Sequence, residues 1–266
     1  MQVFQQYVTK ISVITVTYNS AETLEDTLKS VKSQDFNNIE HIIMDGGSSD
    51  ETLKILDSYK KSLAVVVSEP DDGIYDAFNK ALALASGDIV AILNSDDVFY
   101  DDKVLSLVGE TFKKTECDIV YGDSVIVRQN DLYSIVRFWK SSKFILGSFK
   151  DGWHPPHPSF FVRKSVYDKF GNFDTSIPVA ADFELMLRFM EINKVTAEYI
   201  PNVLTRMRVG GHSQNIINII SGAKSIKKAF NKNKIKINTA RYFLNRYASK
   251  VKEIFRARLS FGRKIE

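Results

Sequence analysis

The chain lacks several features that define common protein classes. A single cysteine, Cys117, excludes an intramolecular disulfide framework, and no run of 18 or more apolar residues is present to span a bilayer. Residues 1–10 are too polar for a secretory signal. Neither Gly-X-Gly-X-X-Gly nor Gly-Lys-Ser/Thr occurs, which argues against a Rossmann dehydrogenase and a P-loop enzyme. We therefore expect a cytoplasmic protein that folds without disulfides.

The chain does contain enough apolar material for one large domain. Its 266 residues are 44% hydrophobic, which suits one α/β domain with an appendage. The net charge of +4 conceals an asymmetry, because residues 223–266 carry 14 Lys and Arg against 2 acids, or +12. The remainder carries 22 Lys and Arg against 30 acids, or −8. The basic charge therefore belongs to the C-terminal segment.

That segment, residues 222–266, has the pattern of a basic amphipathic helix. Apolar residues recur at helical spacing, and Lys and Arg fill the positions between them; the apolar set is Leu244, Tyr247, Ala248, Val251, Phe255 and Leu259. The pattern predicts an interfacial helix on an anionic membrane, at the inner face of the plasma membrane. A helix packed on the domain explains it nearly as well. A nucleic-acid contact is disfavoured because no recognition motif accompanies the charge.

The N-terminal half has the periodicity of a parallel α/β sheet. Strands are predicted at 11–16, 39–44, 63–67 and 89–93, and Leu24, Leu28 and Val31 mark a helix between the first two. Each strand is followed by polar, turn-forming residues. Because the carboxyl ends of parallel strands meet at one edge of a sheet, these clusters are expected to form one site.

The most informative cluster follows the fourth strand. Ile89 to Leu93 leads directly into Asn94, Ser95, Asp96 and Asp97. Two adjacent carboxylates are hard oxygen donors that suit Mg²⁺ or Mn²⁺ shared with phosphate oxygens, better than they suit zinc. A simple turn is the alternative, since Asn, Ser and Asp all favour turns.

Four motifs in order give the chain a family resemblance. They are Val-Ile-Thr-Val-Thr-Tyr-Asn, Asp-Gly-Gly-Ser-Ser-Asp, Asp-Asp-Gly-Ile-Tyr-Asp-Ala-Phe-Asn-Lys and Leu-Asn-Ser-Asp-Asp. Over about 215 residues the chain resembles the family 2 glycosyltransferases of GT-A fold. The resemblance implies a Rossmann-like, mainly parallel sheet flanked by helices over residues 1–221. Residues 1–100 would form the nucleotide half and 101–221 the acceptor half, followed by the basic helical tail at 222–266.

The resemblance also implies a nucleotide-sugar site, with a UDP-sugar as donor and Mg²⁺ or Mn²⁺ as cofactor. The implied donor contacts are Thr17, Tyr18, Asn19, Asp45, Asp72, Asn79, Asn94, Ser95 and Asp96. Asn94 stands where the family commonly has an acid, which leaves Asp96 and Asp97 to hold or organise the metal. Alternatively, Asp45 only stabilises its loop and Asn79 is a polar residue of a helix surface.

A candidate general base lies further along the chain. Leu185, Met186 and Phe189 form an apolar helical face that places Asp182 in the first turn of the helix. Asp182 resembles the acidic base of the family, although Ala181 stands where the preceding Glu is usual. The alternative is an acid that complements the helix dipole.

Two further segments resemble parts of the family's site. The loop before 158 supplies Trp153, His154 and His157 on the acceptor side, and a two-histidine zinc site is disfavoured by the single cysteine. A buried aromatic is the alternative for Trp153. Residues 206–213 resemble a loop that closes over the diphosphate, with Arg208 as a phosphate contact and His212 as a metal ligand.

Together these features predict an inverting, metal-dependent glycosyltransferase. Its acceptor would be a hydroxyl of a saccharide or a polyprenyl-linked saccharide in cell-surface polysaccharide synthesis. A sugar nucleotidyltransferase is one alternative, but Tyr18-Asn19-Ser20 stands where a Gly-rich signature would be needed. A protein that binds a nucleotide-sugar without turning it over is the other.

Overall fold

The computed structural model describes residues 9–210 and 216–262, except for the side chains of 216–220. Its strands are β1 Ile11–Thr17, β2 Ile39–Asp45, β3 Val65–Ser68, β4 Ile89–Ile92, β5 Val98–Phe99, β6 Ile119–Arg128, β7 Asp131–Trp139, β8 Phe160–Arg163 and β9 Ala197–Arg208. Its helices are α1 Leu24–Lys32, α2 Thr52–Tyr59, α3 Ile74–Leu84, α4 Val104–Thr115, α5 Lys164–Phe170, α6 Ala181–Met186, α7 Ile216–Lys232 and α8 Thr239–Phe261.

The first half is the parallel α/β unit that the sequence predicts. β1 pairs in parallel with β2 on one side and with β4 on the other, and β3 joins β2 in parallel. Every residue of β1 is buried because helices cover both faces of the sheet, which explains its continuous apolar run. The ends of these strands therefore face the same edge.

The second half extends the same sheet with mixed pairing. β8 lies antiparallel between β4 and β6, β9 runs parallel to β6, and short β5 pairs antiparallel with β9. β7 forms a hairpin with β6 outside the main strand order β3-β2-β1-β4-β8-β6-β9-β5. Because β5 follows the turn after β4, its pairing with β9 carries the end of β9 to that turn.

The predicted C-terminal tail packs on this sheet. Ala229 and Phe230 of α7 and Tyr242 of α8 are buried in the same core as the strands. Glu253 of α8 forms an ion pair with Arg137 of β7 at 2.8 Å. One face of α8 is thus a packing surface, as the second interpretation of the tail required. Among the described residues, no helix is both long and apolar enough to cross a bilayer.

Candidate active site

The turns after β1 and β2 are fastened to each other at the sheet edge. Asn19 adopts φ of 48°, a left-handed conformation that Asn tolerates better than most residues. Its backbone N–H donates to Ser48 Oγ at 2.8 Å, and its side-chain oxygen accepts from the Ser49 N–H at 2.9 Å. Tyr18 is left 65% exposed beside this junction, where its ring is free to stack on a planar group. Thr17 Oγ1 is buried without a hydrogen-bond partner in the described residues.

Asp45 is fully buried and organises the loop that follows it. Its carboxylate accepts from the N–H groups of Gly47 at 3.1 Å and Ser48 at 2.9 Å. It also accepts from Ser48 Oγ at 2.5 Å and from Ser68 Oγ at 2.6 Å. The loop-stabilising role is therefore present in the structure, and a contact with uracil or ribose stays a prediction.

The third cluster is arranged differently from the sequence prediction. Asp72 is exposed, whereas the carboxylate of Asp71 lies 2.5 Å from the position that a Cβ on Gly46 would occupy. The absence of a Cβ on Gly46 therefore allows Asp71 to approach this closely. The sequence pattern did not single out Asp71, because it cannot distinguish two adjacent acids of the same type. The Asn79 amide exchanges hydrogen bonds of 2.9 and 3.0 Å with the backbone of Phe173. Both polar groups of Asn79 thus fasten the loop at 173, and its predicted donor contact stays a prediction.

The turn after β4 holds two desolvated carboxylates. Thr27 Oγ1 donates to the backbone carbonyl of Asp97 at 2.7 Å, and Ser95 Oγ donates to Ser20 Oγ at 2.9 Å. Burial raises the pKa of Asp96, and nearby His157 and Arg208 offset part of this effect. Burial and the charge of Asp96 raise the pKa of Asp97 well above its usual range, against hydrogen bonds from Asn94 and the Arg208 backbone.

These residues fit a hard divalent cation. Asn94 Oδ1 is buried without a hydrogen-bond partner among the described residues, and the repulsion between Asp96 and Asp97 would be relieved by a positive ion. The described residues contain no cluster of three or more His, Cys, Asp or Glu placed to hold a metal. Mg²⁺ bound through one or two carboxylates and substrate phosphates needs no such cluster. The predicted ligand His212 lies outside the described residues.

Arg208 contacts the turn after β4 through its guanidinium. It is only 8% exposed, and its guanidinium donates to Asp26 at 2.5 Å, to the Asp96 carbonyl at 2.8 Å and to the Gln129 carbonyl at 3.0 Å. Three protein acceptors thus engage the group that was predicted to contact phosphate. These contacts give Arg208 a supporting role at the end of β9, which pairs with β5, and its predicted contact with phosphate stays a prediction.

Asp182 faces this turn from the start of α6. Ala180, which precedes the helix, adopts φ of 153°, a conformation rare for a residue with a side chain, and such strain costs about 1–3 kcal/mol. The Asp182 carboxylate accepts from Tyr75 Oη at 3.2 Å, and its other oxygen lies 3.5 Å from His157 Nδ1. Asp182 therefore has two polar neighbours and stays partly open to solvent.

His157 connects Asp182 to the turn after β4. Its Nε2 lies 3.1 Å from Asn94 Nδ2, and the same amide nitrogen lies 3.1 Å from Asp97 Oδ2. Because the amide donates, Nε2 is the acceptor and the ring proton sits on Nδ1, towards Asp182. A continuous polar chain thus runs from Asp97 through Asn94 and His157 to Asp182. Sequence reasoning had placed His157 with the acceptor but had not linked it to the other motifs.

Comparisons with known proteins show the family to which the chain belongs. Residues 12–171 match the sequence model described as Glycosyl transferase family 2. The chain belongs to that family. An uncharacterized glycosyltransferase of Mycobacterium tuberculosis is 35% identical over 181 residues, which cover 67% of this chain and 68% of that protein.

Solved structures show the same fold. The S. aureus TarS fragment 1–349 in complex with UDP-GlcNAc aligns with a TM-score of 0.65 and 18% identity, covering 97% of this chain and 76% of that one. The mannosyltransferase of Pyrobaculum calidifontis in complex with GDP-Man and Mn²⁺ aligns with a TM-score of 0.65 and 20% identity, covering 98% and 77%. The GT-A expectation for this glycosyltransferase is therefore confirmed.

Two residues of the glycosyltransferase that were predicted to lie on the acceptor side make packing contacts. Trp153 lies 6.0, 5.7 and 5.7 Å from the rings of Tyr121, Phe144 and Phe149, in an aromatic cluster of the core. His154 lies against the rings of Trp139 and Phe183, and its Nδ1–H donates to the Pro155 carbonyl at 3.0 Å. Burial and nearby Arg246 hold the pKa of His154 well below its usual range. Both residues therefore support the loop that carries His157, and the acceptor contacts predicted for them stay predictions.

Proposed function

We propose that this glycosyltransferase moves a sugar from a UDP-sugar to a hydroxyl of a saccharide or lipid-linked saccharide, with inversion at the anomeric carbon. The observation that carries the proposal is the chain from Asp97 to Asp182. It sets a carboxylate able to accept a proton opposite a pair of carboxylates able to hold a metal. A single displacement needs a base for the acceptor proton and a cation for the leaving diphosphate, and one chain of polar contacts links the residues suited to each role.

Asp182 would act as the general base. As the acceptor oxygen attacks the anomeric carbon, its proton passes to the Asp182 carboxylate and the bond from the sugar to the diphosphate breaks. Tyr75 and the Nδ1–H of His157 hold the carboxylate in place, one at each oxygen. Attack from the face opposite the leaving group inverts the anomeric configuration.

Asp96 and Asp97 would hold Mg²⁺ or Mn²⁺. The bound cation would supply charge stabilisation to the departing diphosphate. Asp97 is buried and bonded to Asn94 and the Arg208 backbone, so Asp96 is the better placed of the two for direct contact. The Mn²⁺ in the Pyrobaculum calidifontis structure supports the use of a divalent cation.

The donor would lie along the turns after β1 and β2. Exposed Tyr18 is suited to stack on the base, and Thr17 Oγ1 offers an unsatisfied buried hydroxyl. Asp45, Asp72 and Ser95 remain predicted contacts, and Asp71 joins them because it lies against Gly46. The UDP-GlcNAc complex of TarS supports a uridine nucleotide.

A panel of nucleotide-sugars tests the proposal. The purified chain would be incubated with UDP- and GDP-sugars, Mn²⁺ and saccharide acceptors, and nucleoside diphosphate release would be followed beside thermal stability. We expect UDP-sugars to raise the melting temperature only with Mn²⁺, because a ligand that binds the folded state stabilises it. Turnover of one of them would follow. Stabilisation without any turnover would favour a binding protein, and release of pyrophosphate from UTP in the presence of a sugar 1-phosphate would favour a nucleotidyltransferase.

A further inference from the structure

We propose that the outer face of α8 docks this transferase on an anionic membrane surface. The outer face is the set Leu244, Tyr247, Phe255 and Leu259. These side chains are 67%, 70%, 59% and 84% exposed, although all four are large and apolar. At 3.6 residues per turn they lie within an arc of about 120° along one side of the helix. A continuous exposed apolar stripe of this kind marks an interaction surface, whereas single exposed apolar residues do not.

The inner face of α8 is already occupied by the domain. Tyr242, Glu253 and Ala257 are buried on it, and Glu253 pairs with Arg137. Phe261 contacts Phe138 with ring centroids 5.5 Å apart. Contacts along the whole length of the helix therefore fix which side faces outward.

The charges on α8 select the occupant. Its solvent-facing charged residues are all basic: Lys250, Lys252, Arg256 and Arg258, together with Arg241, which forms an ion pair with Asp151 at 2.9 Å. Its one acid, Glu253, is buried in the ion pair with Arg137. Lipid headgroups of negative charge complement such a surface, while a second copy of the same face would bring like charges together. An apolar stripe with basic flanks is the pattern of a helix that lies in a membrane interface.

The docked helix would hold the active site near the lipid surface. Tyr242, in the first turn of α8, packs with its ring centroid 6.3 Å from that of Phe183, the residue after Asp182. Burial, and to a smaller extent the charge of Asp182, raises the pKa of Tyr242 to about 12. Docking therefore suits a lipid-linked acceptor, and only this step rests on the proposed function.

Substitutions on the outer face provide the test. Removing the tail would also remove Phe230 and Tyr242 from the core, so the full chain is used. The variant Leu244→Ser, Tyr247→Ser, Phe255→Ser, Leu259→Ser would be compared with the control Leu53→Ser, Leu84→Ser, which removes exposed apolar residues from α2 and α3. Both would be sedimented with vesicles of phosphatidylcholine, alone or mixed with phosphatidylglycerol, over a range of salt concentrations.

We expect the wild type and the control to bind the anionic vesicles, and the outer-face variant to bind them at least ~10-fold more weakly. Binding should weaken as salt rises because the attraction is screened. Unfolding curves and release of UDP from a soluble donor should match the wild type, which separates this test from that of the proposed function. Equal vesicle binding by variant and wild type would overturn the proposal. A salt-resistant dimer in sedimentation velocity that the variant abolishes would also overturn it, by assigning the face to a second copy.

Discussion

Replacing Asp182 with Asn tests the base assignment at the smallest possible change in shape. The substitution keeps an oxygen for Tyr75, 3.2 Å away, but removes the carboxylate that would accept the proton. Loss of general-base catalysis should lower kcat by ~10²–10⁴-fold, which corresponds to about 2.7–5.4 kcal/mol of transition-state stabilisation. Affinity for UDP should stay within about twofold of the wild type, because the proposed role of Asp182 is in the chemical step and not in donor binding.

The competing explanation of Asp182 makes a different prediction for the same variant. If the acid only complements the dipole of α6, its loss costs about 0.3–1 kcal/mol of folding stability and leaves turnover intact. The assay is UDP release at saturating donor, together with a thermal unfolding curve. Asp174→Asn is the matched control, since Asp174 forms an ion pair with Lys232 and does not contact Asp182. Near-normal kcat with a lowered melting temperature would refute the base assignment.

Three more outcomes are expected. His157→Gln should keep most activity, because Gln can still bond Asn94 and Asp182. His157→Phe cannot, and should lose at least ~10-fold in kcat with UDP affinity unchanged. Equal rates for the two variants would contradict the positioning role. Asp96→Ala with Asp97→Ala should abolish the Mn²⁺ dependence of UDP binding in calorimetry, and an unchanged metal-dependent affinity would exclude these acids as ligands. Burial lowers the pKa of His41 from 6.5 to about 3. As the pH falls, the unfolded state therefore takes up the proton before the folded state does. The free energy of unfolding should fall between pH 6.5 and 3 by at most about 1.4 kcal/mol per pH unit. His41→Gln should flatten that slope in urea unfolding, and parallel slopes would refute the attribution.

The sequence predicted the sheet edge because the relevant signals are local. A buried parallel strand is a continuous apolar run, and its end is marked by the first turn-forming residues, as at Thr17, Asp45 and Asn94. The helical period placed Asp182 in the first turn of α6, and its predicted role as base came from the family resemblance. Each of these inferences needs only neighbouring residues in the chain.

Asn79, Arg208 and Trp153 contact residues that are distant in the sequence, and a local sequence pattern does not reveal such contacts. A polar side chain is free for a ligand only if the protein does not engage it, and Arg208 finds its acceptors 79 to 182 residues away. The same limit applies to α8. The sequence shows the apolar stripe of α8, but the side of the helix that is buried is the one that contains Glu253. Burial of this acid is possible because Arg137 of β7 neutralises it.

The departure from the family pattern at Asn94 acquires a physical reason in the structure. An acid at this position would add a third carboxylate to the desolvated pair Asp96 and Asp97, whose pKa values are already raised. A carboxylate also could not donate to Asp97 Oδ2 and His157 Nε2, as the Asn94 amide does at 3.1 Å to each. The Asn94 amide thus joins the turn after β4 to His157, which lies beside Asp182. The amide oxygen stays buried without a partner in the described residues. Asn94 and His157 therefore depend on each other, and we interpret the amide as the residue that aligns the two halves of the site.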